Sequence, residues 1–134
     1  MKKILLDTNA YSAFCGGDDA VLDQLGDADV VLMSIFVLGE LYAGFRGGTR
    51  IESNRAGLRQ FLTRPTVKIL FATEETAEVF GEVKDGLRRQ GTPLPINDVW
   101  IAAHALEAGA TLVTFDGHFQ KVKGLRRWPE RVED

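Results

Sequence analysis

The chain has 134 residues, of which 45% are hydrophobic, so it is long enough to bury one core and too short for two, and we predict a single domain over residues 1–134. Its 16 Lys and Arg residues against 19 Asp and Glu residues give a net charge of -3, which excludes a strongly basic protein that binds polyanions over its whole surface. The lone cysteine, Cys15, excludes an intrachain disulfide, and we expect its thiol to be buried like a small hydrophobic side chain.

Short apolar runs alternate with amphipathic stretches along the chain. The apolar runs predict four β-strands and a weaker fifth, over residues 3–6, 30–33, 67–71, 111–115 and 125–128. The stretches between them predict helices over residues 19–25, 35–45, 50–63, 74–89 and 98–108. Strands that alternate with helices predict an α/β fold, in which a central parallel sheet of four to five strands carries helices on both faces.

The first predicted strand also bears on the cellular compartment of the protein. Its apolar residues follow two lysines, as in an export signal, but Asp7 ends the run far short of the apolar region that such a signal needs. No stretch approaches the roughly 20 apolar residues required to cross a bilayer. We therefore expect a cytoplasmic protein that does not engage membranes.

Two acidic residues directly follow predicted strands. Asp7 comes after the strand at 3–6, and Asp116 comes after the strand at 111–115. Each has an ordinary explanation, because Asp7 can cap a helix that starts near Ala10 and Asp116 can form a turn with Gly117. Residues that follow strands also meet at the crevice of an open α/β sheet, so both acids are placed to share one site.

Two further acids lie within predicted helices. Glu40 belongs to a helix that is apolar nearly all round, so its charge needs either an arginine partner or a metal ion. Asp98 shares a helix face with Ile101 and Ala105, although the helix dipole alone also accounts for an acid in a first turn. One acidic pocket explains all four positions at once, and carboxylates that crowd together favour a bound divalent cation.

The same sequence narrows the chemistry. Neither GxGxxG nor GxxxxGK[ST] occurs, which removes most support for a nucleotide cofactor. A site made only of carboxylates suits Mg²⁺ or Mn²⁺, whereas zinc would call for a Cys/His cluster that the sequence lacks. We expect His104 and His118 to be core or solvent-facing side chains rather than metal ligands.

Four short motifs occur in order along nearly the whole chain: Asp7-Thr8-Asn9 with Ser12, Glu40, Asn97-Asp98 with Ile101-Ala102-Ala103, and Thr114-Phe115-Asp116 with Phe119. Each motif alone is degenerate, but the ordered set is fairly specific. It resembles the PIN-domain ribonucleases, and in particular the VapC-type toxins of toxin–antitoxin pairs. The resemblance implies a PIN-like single domain.

The resemblance also implies a site and an activity. The residues that match the family's catalytic and metal-binding acids are Asp7, Glu40, Asp98 and Asp116, and the matching supporting groups are Asn9, Asn97 and Thr114. The implied cofactor is Mg²⁺ or Mn²⁺, as one or two ions. The implied function is a metal-dependent endoribonuclease that hydrolyses RNA phosphodiester bonds with metal-activated water. Such toxins form homodimers and are neutralised by a cognate antitoxin.

An acidic pocket repels phosphate, so an RNA substrate also needs cationic side chains outside it. The candidates are Arg46, Arg50, Arg55 and Arg59 on the middle helices, Lys84, Arg88 and Arg89 on a later helix, and Lys121, Lys123, Arg126, Arg127 and Arg131 in the tail. For any single one of them, a solvated surface charge is the simpler explanation.

Three alternatives belong to other classes of protein. A receiver-type phosphoacceptor domain calls for adjacent acids after the first strand, which Asp7-Thr8-Asn9 lacks. A haloacid-dehalogenase-like phosphatase calls for a second Asp two residues after the first, where this chain has Asn9. A catalytically silent PIN-like binding module remains the non-enzymatic alternative, and the presence of all four acids argues against it.

Overall fold

Five parallel strands form the centre of the protein, which is described here from a computed structural model covering residues 1–130. The strands are β1 (Lys3–Leu6), β2 (Val30–Ser34), β3 (Val67–Leu70), β4 (Thr111–Val113) and β5 (Arg127–Trp128). They lie in the order β3-β2-β1-β4-β5, and every neighbouring pair is parallel. Arg131, counted above among the basic tail residues, lies outside the described residues.

Helices flank this sheet. They are α1 (Thr8–Cys15), α2 (Asp19–Asp27), α3 (Ile35–Arg46), α4 (Ile51–Leu62), α5 (Glu74–Gln90) and α6 (Ile96–Ala108), followed by a 3-10 helix over Gly117–Lys121. This architecture confirms the predicted α/β fold with its parallel sheet. Within residues 1–130, none of the helices combines the length and the apolar character that crossing a bilayer requires.

The central strand β1 explains why the sheet forms where it does. Its residues Ile4, Leu5 and Leu6 are fully buried, because the strand has neighbours on both edges and helices over the sheet. A strand in this position has no solvent-facing side, so it appears in the sequence as a continuous apolar run. Ile4 pairs with Val31 of β2 on one edge and with Thr111 of β4 on the other.

The order of the strands defines the functional edge. From β1, the chain adds β2 and β3 on one side and then returns to add β4 and β5 on the other. The carboxyl ends of β1 and β4 therefore meet at the point where the winding reverses, which is the usual ligand crevice of such sheets. The backbone N–H of Asp7 donates to the carbonyl of Val113 at 3.1 Å and so fixes the two strand ends together.

The helix after β1 begins earlier than predicted. Helix α1 starts at Thr8 instead of near Ala10, because Asp7 is its N-cap and accepts a hydrogen bond from the Ala10 N–H at 3.1 Å. The expected burial of Cys15 is wrong, since this last residue of α1 is exposed.

Two boundaries at the functional edge also differ from the prediction. Strand β4 ends at Val113, although the Thr114 N–H still donates to the Trp128 carbonyl of β5 at 3.0 Å. The N–H groups that follow leave the sheet, that of Phe115 towards the Asn9 side chain and that of Asp116 towards the Thr114 hydroxyl. Helix α6 starts at Ile96, two residues before the predicted start. Smaller differences of one or two residues affect the ends of β2, β3, β5, α2, α3, α4 and α5.

Candidate active site

Asp7 lies at the centre of the crevice and is both a helix cap and a buried charge. Only 5% of the residue is exposed, and its Oδ1 atom accepts the Ala10 N–H at the start of α1. Burial, opposed by a hydrogen bond from Thr114 and reinforced by the charges of Asp116 and Asp98, raises the pKa of Asp7 from 3.8 to about 6. A carboxylate in this state gains from any cation that replaces the lost water.

Thr114 joins the acids that follow β1 and β4. This fully buried residue donates its hydroxyl proton to Oδ2 of Asp7 and accepts the backbone N–H of Asp116 at 3.0 Å. One side chain thereby sets the position of two acids from distant parts of the sequence. Asp116 in turn caps the 3-10 helix by accepting the N–H of His118 at 2.9 Å.

Asp98 reaches the same crevice from the first turn of α6. The residue is half-buried, and Ile101 and Ala105 on its face of the helix are fully buried, as the helical spacing predicts. Burial raises the pKa of Asp98, and the charges of Asp116 and Glu40 raise it further, while His118 acts in the opposite direction. Asp98 therefore lies close enough to both acids for their charges to repel.

Glu40 approaches from α3. Its Oε1 atom accepts a hydrogen bond from the hydroxyl of Thr8 at 2.6 Å. Among the described residues no cationic side chain lies within salt-bridge distance of Glu40, so the arginine partner considered for it is not found. The residue is half-buried rather than enclosed, which reduces the cost of leaving its charge unpaired.

The chemistry of this donor set fits a divalent cation. Ligand atoms of Asp98, Asp116 and His118 all lie within 4.8 Å of one another, whereas Asp7 and Glu40 stand outside that tight group. Carboxylate oxygens predominate, as hard divalent cations prefer, and the pKa values of Asp7 and Asp98 are raised partly by neighbouring acids. The fold and the pocket define a parallel α/β protein with a candidate divalent-cation site at its switch point.

The three predicted supporting residues differ in the hydrogen bonds that their side chains form. Asn9 holds the loop after β4 to the start of α1, because its side-chain oxygen accepts the Phe115 N–H at 3.1 Å. Thr114 bridges two acids as described above. Asn97 is half-buried beside Asp98, and no side-chain hydrogen bond of Asn97 occurs within residues 1–130.

The structure adds two residues to the site, Thr8, for which no role was predicted from the sequence, and His118, which was set aside as a metal ligand. Thr8 holds Glu40, and its place in the motif with Asp7 and Asn9 was the available signal. His118 is solvent-facing, as expected, yet its Nδ1 atom lies 3.2 Å from Oδ1 of Asp116. His104 is a core residue, also as expected, and its Nδ1 atom lies 2.7 Å from the Ser34 hydroxyl.

Comparisons with known proteins agree with this arrangement. The PIN domain family matches residues 4–125. Ribonuclease VapC1 of Haemophilus influenzae (strain R2866) is 31% identical over 127 residues, which cover 91% of this chain and 93% of that protein. A crystal structure of DNA-bound VapBC from Salmonella typhimurium superposes with a TM-score of 0.84 at 26% identity, over 95% of this chain and 97% of that chain.

A third similar structure is VapBC-5 from Mycobacterium tuberculosis, described as a member of the VapBC family of toxin–antitoxin systems. It has a TM-score of 0.71 at 25% identity and covers 94% of both chains. The chain belongs to the PIN-domain family, and its relatives are VapC ribonucleases. The family inferred from the ordered motifs is thereby confirmed, and the receiver and phosphatase alternatives are set aside.

Proposed function

We propose that this protein is a metal-dependent endoribonuclease, the toxin of a VapBC-type toxin–antitoxin system, and that residues 1–134 form one nuclease domain. The observation that carries the proposal is the crowding of acids at the carboxyl edge of β1 and β4, where the pKa of both Asp7 and Asp98 is raised partly by other acids. Membership of the PIN-domain family and similarity to VapC ribonucleases supply the reaction class.

We assign catalysis and metal binding to Asp7, Glu40, Asp98 and Asp116. Asp98 and Asp116 offer carboxylate oxygens within 4.8 Å of each other, and Thr114 links Asp7 to Asp116. Glu40 approaches from α3 and is oriented by Thr8. Mg²⁺ or Mn²⁺, as one or two ions, suits this set of mainly carboxylate donors.

The reaction is hydrolysis of a phosphodiester bond. A new P–O bond forms to the oxygen of a water molecule as the P–O bond to the departing sugar oxygen breaks, so one product ends in a phosphate and the other in a hydroxyl. When bound, the divalent cation polarises the phosphoryl oxygen and makes a bound water more acidic. The protein supplies fixed carboxylates, and the bonds from Thr114 and Thr8 limit how far Asp7 and Glu40 can reorient.

RNA as substrate, an antitoxin partner and a homodimer are part of the same proposal. The name Ribonuclease VapC1 supports RNA, and the similar VapBC structures support a protein partner. A partner that covers the acidic crevice would block the substrate, so adding the copurified partner back to the free protein should suppress cleavage.

The test uses protein freed of copurifying partners and a pool of cellular RNAs, incubated with Mg²⁺, Mn²⁺ or EDTA. We expect cleavage with either metal and none in EDTA. Asp7→Asn should lower the rate by at least about a hundredfold, because it removes a charged ligand while leaving an oxygen to cap α1.

Asp18→Asn is the matched control. Asp18 is also a helix N-cap, accepting the Val21 N–H at 3.0 Å, but it is exposed and belongs to α2. Its variant should cleave at the wild-type rate. A folded protein that binds metal and cleaves none of the RNAs would favour the silent binding module, and equal cleavage in EDTA would contradict the metal-dependent mechanism.

A further inference from the structure

We propose that a cleft lined by Arg46, Arg55 and Arg59 binds the phosphodiester backbone of single-stranded RNA outside the acidic crevice. The inference rests on the proposed function, since it names a second contact for the same substrate. The cleft has a volume of about 260 Å³ and is completed by Tyr42 and Ile51. It lies between α3 and α4, whereas the acids surround the carboxyl ends of β1 and β4.

The distribution of charge makes this region stand out. Residues 35–64, which contain α3 and α4, carry five arginines and two glutamates, a net charge of +3, although the whole chain has a net charge of -3. All five cations are arginines. A guanidinium presents a planar set of donors that matches a phosphate with two parallel hydrogen bonds, which a lysine cannot do.

The three cleft arginines lack the partners that occupy other cations of the chain. Arg88 and Arg89 both pair with Asp85, and Arg89 does so at 2.9 Å. Arg64 stacks over the rings of Phe14 and Phe61, at 5.2 Å from each centroid.

By contrast, none of the cleft arginines forms a salt bridge to an acid within residues 1–130. Glu52 is one turn away from Arg55 on α4, yet the two do not pair. Arg55 is half-buried, whereas Arg46 and Arg59 are exposed. Three like charges around one small cleft repel each other, and a bound anion relieves that repulsion.

Helix geometry places this cleft on the opposite side of α3 from the acidic crevice. Glu40 and Tyr42 are two positions apart on α3, so they project from nearly opposite sides of the helix. Thr8, Glu40 and Asn54 line a second cleft on the crevice side. Both clefts are lined by residues of α3 and α4, so they open on opposite sides of this helix pair. An RNA strand held by the arginines therefore has to pass around the pair, each helix being about 10 Å across with its side chains, to reach the acids.

The observations favour RNA over an acidic protein segment. The acidic crevice repels RNA, so the substrate gains from cations outside the crevice. Arg46 lies on the same helix as Glu40, and Arg55 and Arg59 lie on α4, which follows it. The cleft also contains an aromatic ring, that of the half-buried Tyr42, and a nucleotide base can stack on such a ring. An acidic peptide is kept as an alternative outcome of the test.

The experiment measures binding of a fluorescently labelled single-stranded RNA in EDTA, where nothing is cleaved, across a series of salt concentrations. The test protein carries Arg46→Gln, Arg55→Gln and Arg59→Gln. The control protein carries three substitutions that remove the same charge from α5: Lys84→Gln, Arg88→Gln and Arg89→Gln.

Each lost phosphate contact lowers the slope of log K against log salt by about 0.7 for single strands, so the cleft variant should lose about 2 units of slope and bind at least about tenfold more weakly. The control variant should keep the wild-type slope. Equal losses in both variants, or an unchanged slope in the cleft variant, overturn the proposal. Poly-glutamate is assayed in parallel as the acidic peptide, and a cleft variant that loses poly-glutamate binding but keeps RNA binding also overturns the proposal.

A parallel cleavage assay with Mg²⁺ or Mn²⁺ separates this proposal from the proposed function. If the wild-type protein cleaves RNA and the cleft variant binds RNA normally, the proposed role of the cleft is overturned and the proposed nuclease function stands. Wild-type protein that neither binds nor cleaves RNA would overturn both. We expect the cleft variant to show a raised KM with a nearly unchanged kcat, because the arginines contact the substrate away from the bond that breaks.

Discussion

Asp7 shows how one residue serves the fold and the site at the same time. As an N-cap it accepts the Ala10 N–H, and a capping aspartate by itself has no functional meaning. Its carboxylate is nevertheless buried next to other acids, which raises its pKa to about 6. The structural and functional explanations of Asp7 are thus both correct, and the same holds for Asp116, which caps the 3-10 helix.

The raised pKa of Asp7 predicts that ionising this residue destabilises the metal-free protein. Its pKa is 3.8 ordinarily and about 6 in the folded state. The protonated carboxyl of Asp7 is the form that the folded protein favours, and it is fully populated below about pH 4. As the pH rises through about 6 the group ionises, and the free energy of unfolding falls by up to about 3 kcal/mol. Asp7→Asn, which is always neutral, should raise the thermal stability of the protein in EDTA at about pH 7.5.

The gain from Asp7→Asn should shrink towards about pH 4, where wild-type Asp7 is protonated too. Asp18→Asn, at an exposed N-cap, should give no comparable gain at either pH. Thermal denaturation of the three proteins over a pH series measures both effects. A variant of Asp7 that is less stable than wild type at neutral pH would show that its charge is already compensated.

At the scale of whole elements, the sequence predicted most strands and helices but misplaced their ends at the functional edge. Within residues 1–130, periodicity located the five strands and five of the six α-helices, because these elements bury one face or both. The early end of β4 and the early start of α1 depend on side chains that take backbone N–H groups, namely Asn9, Thr114 and Asp7. Only the bond between Asn9 and Phe115 joins residues far apart in the sequence, and local patterns do not show it. The bonds of Asp7 and Thr114 are local, but the residue types alone do not fix which backbone N–H each side chain accepts.

Helix α5 offers a test of the capping at its start. Thr76 is fully buried, accepts the Thr73 N–H at 3.0 Å and donates to Glu107 of α6 at 2.7 Å. Thr76→Val keeps the shape but removes both bonds, and it should lower the free energy of unfolding by about 1–2 kcal/mol. RNA cleavage per folded molecule should not change. Chemical denaturation followed by circular dichroism measures the loss.

Thr92→Val is the matched control for that change. The Thr92 hydroxyl oxygen is buried and has no hydrogen-bond partner within the described residues. The same substitution should therefore be neutral or slightly stabilising at this position, because it removes an unsatisfied polar atom. Equal losses at Thr76 and Thr92 would mean that the link between α5 and α6 contributes nothing specific.

At the scale of the whole molecule, the sequence predicted which acids approach one crevice but not the distances between their ligand atoms. The sequence suggested that all four would share one pocket, and the structure adds that Asp98 and Asp116 form a tight group with His118. Helical or strand spacing cannot show that His118 lies there, since the 3-10 helix that positions it depends on the Asp116 cap. The arginine cleft is likewise invisible without the packing of α3 on α4.

The acidic pocket also links metal binding to the stability of the whole protein. A cation that binds only the folded state raises the free energy of unfolding by about 2.7 kcal/mol when its concentration is one hundred times its Kd. At about pH 5, protons compete for Asp7 and Asp98, whose pKa values are both raised, so the stabilisation by Mg²⁺ or Mn²⁺ should be clearly smaller than at about pH 7.5. The Asp98→Asn variant should lose most of the stabilisation by metal at both pH values. Thermal denaturation with metal or EDTA checks this, and a metal effect that is independent of pH, or that survives in Asp98→Asn, would locate the cation elsewhere.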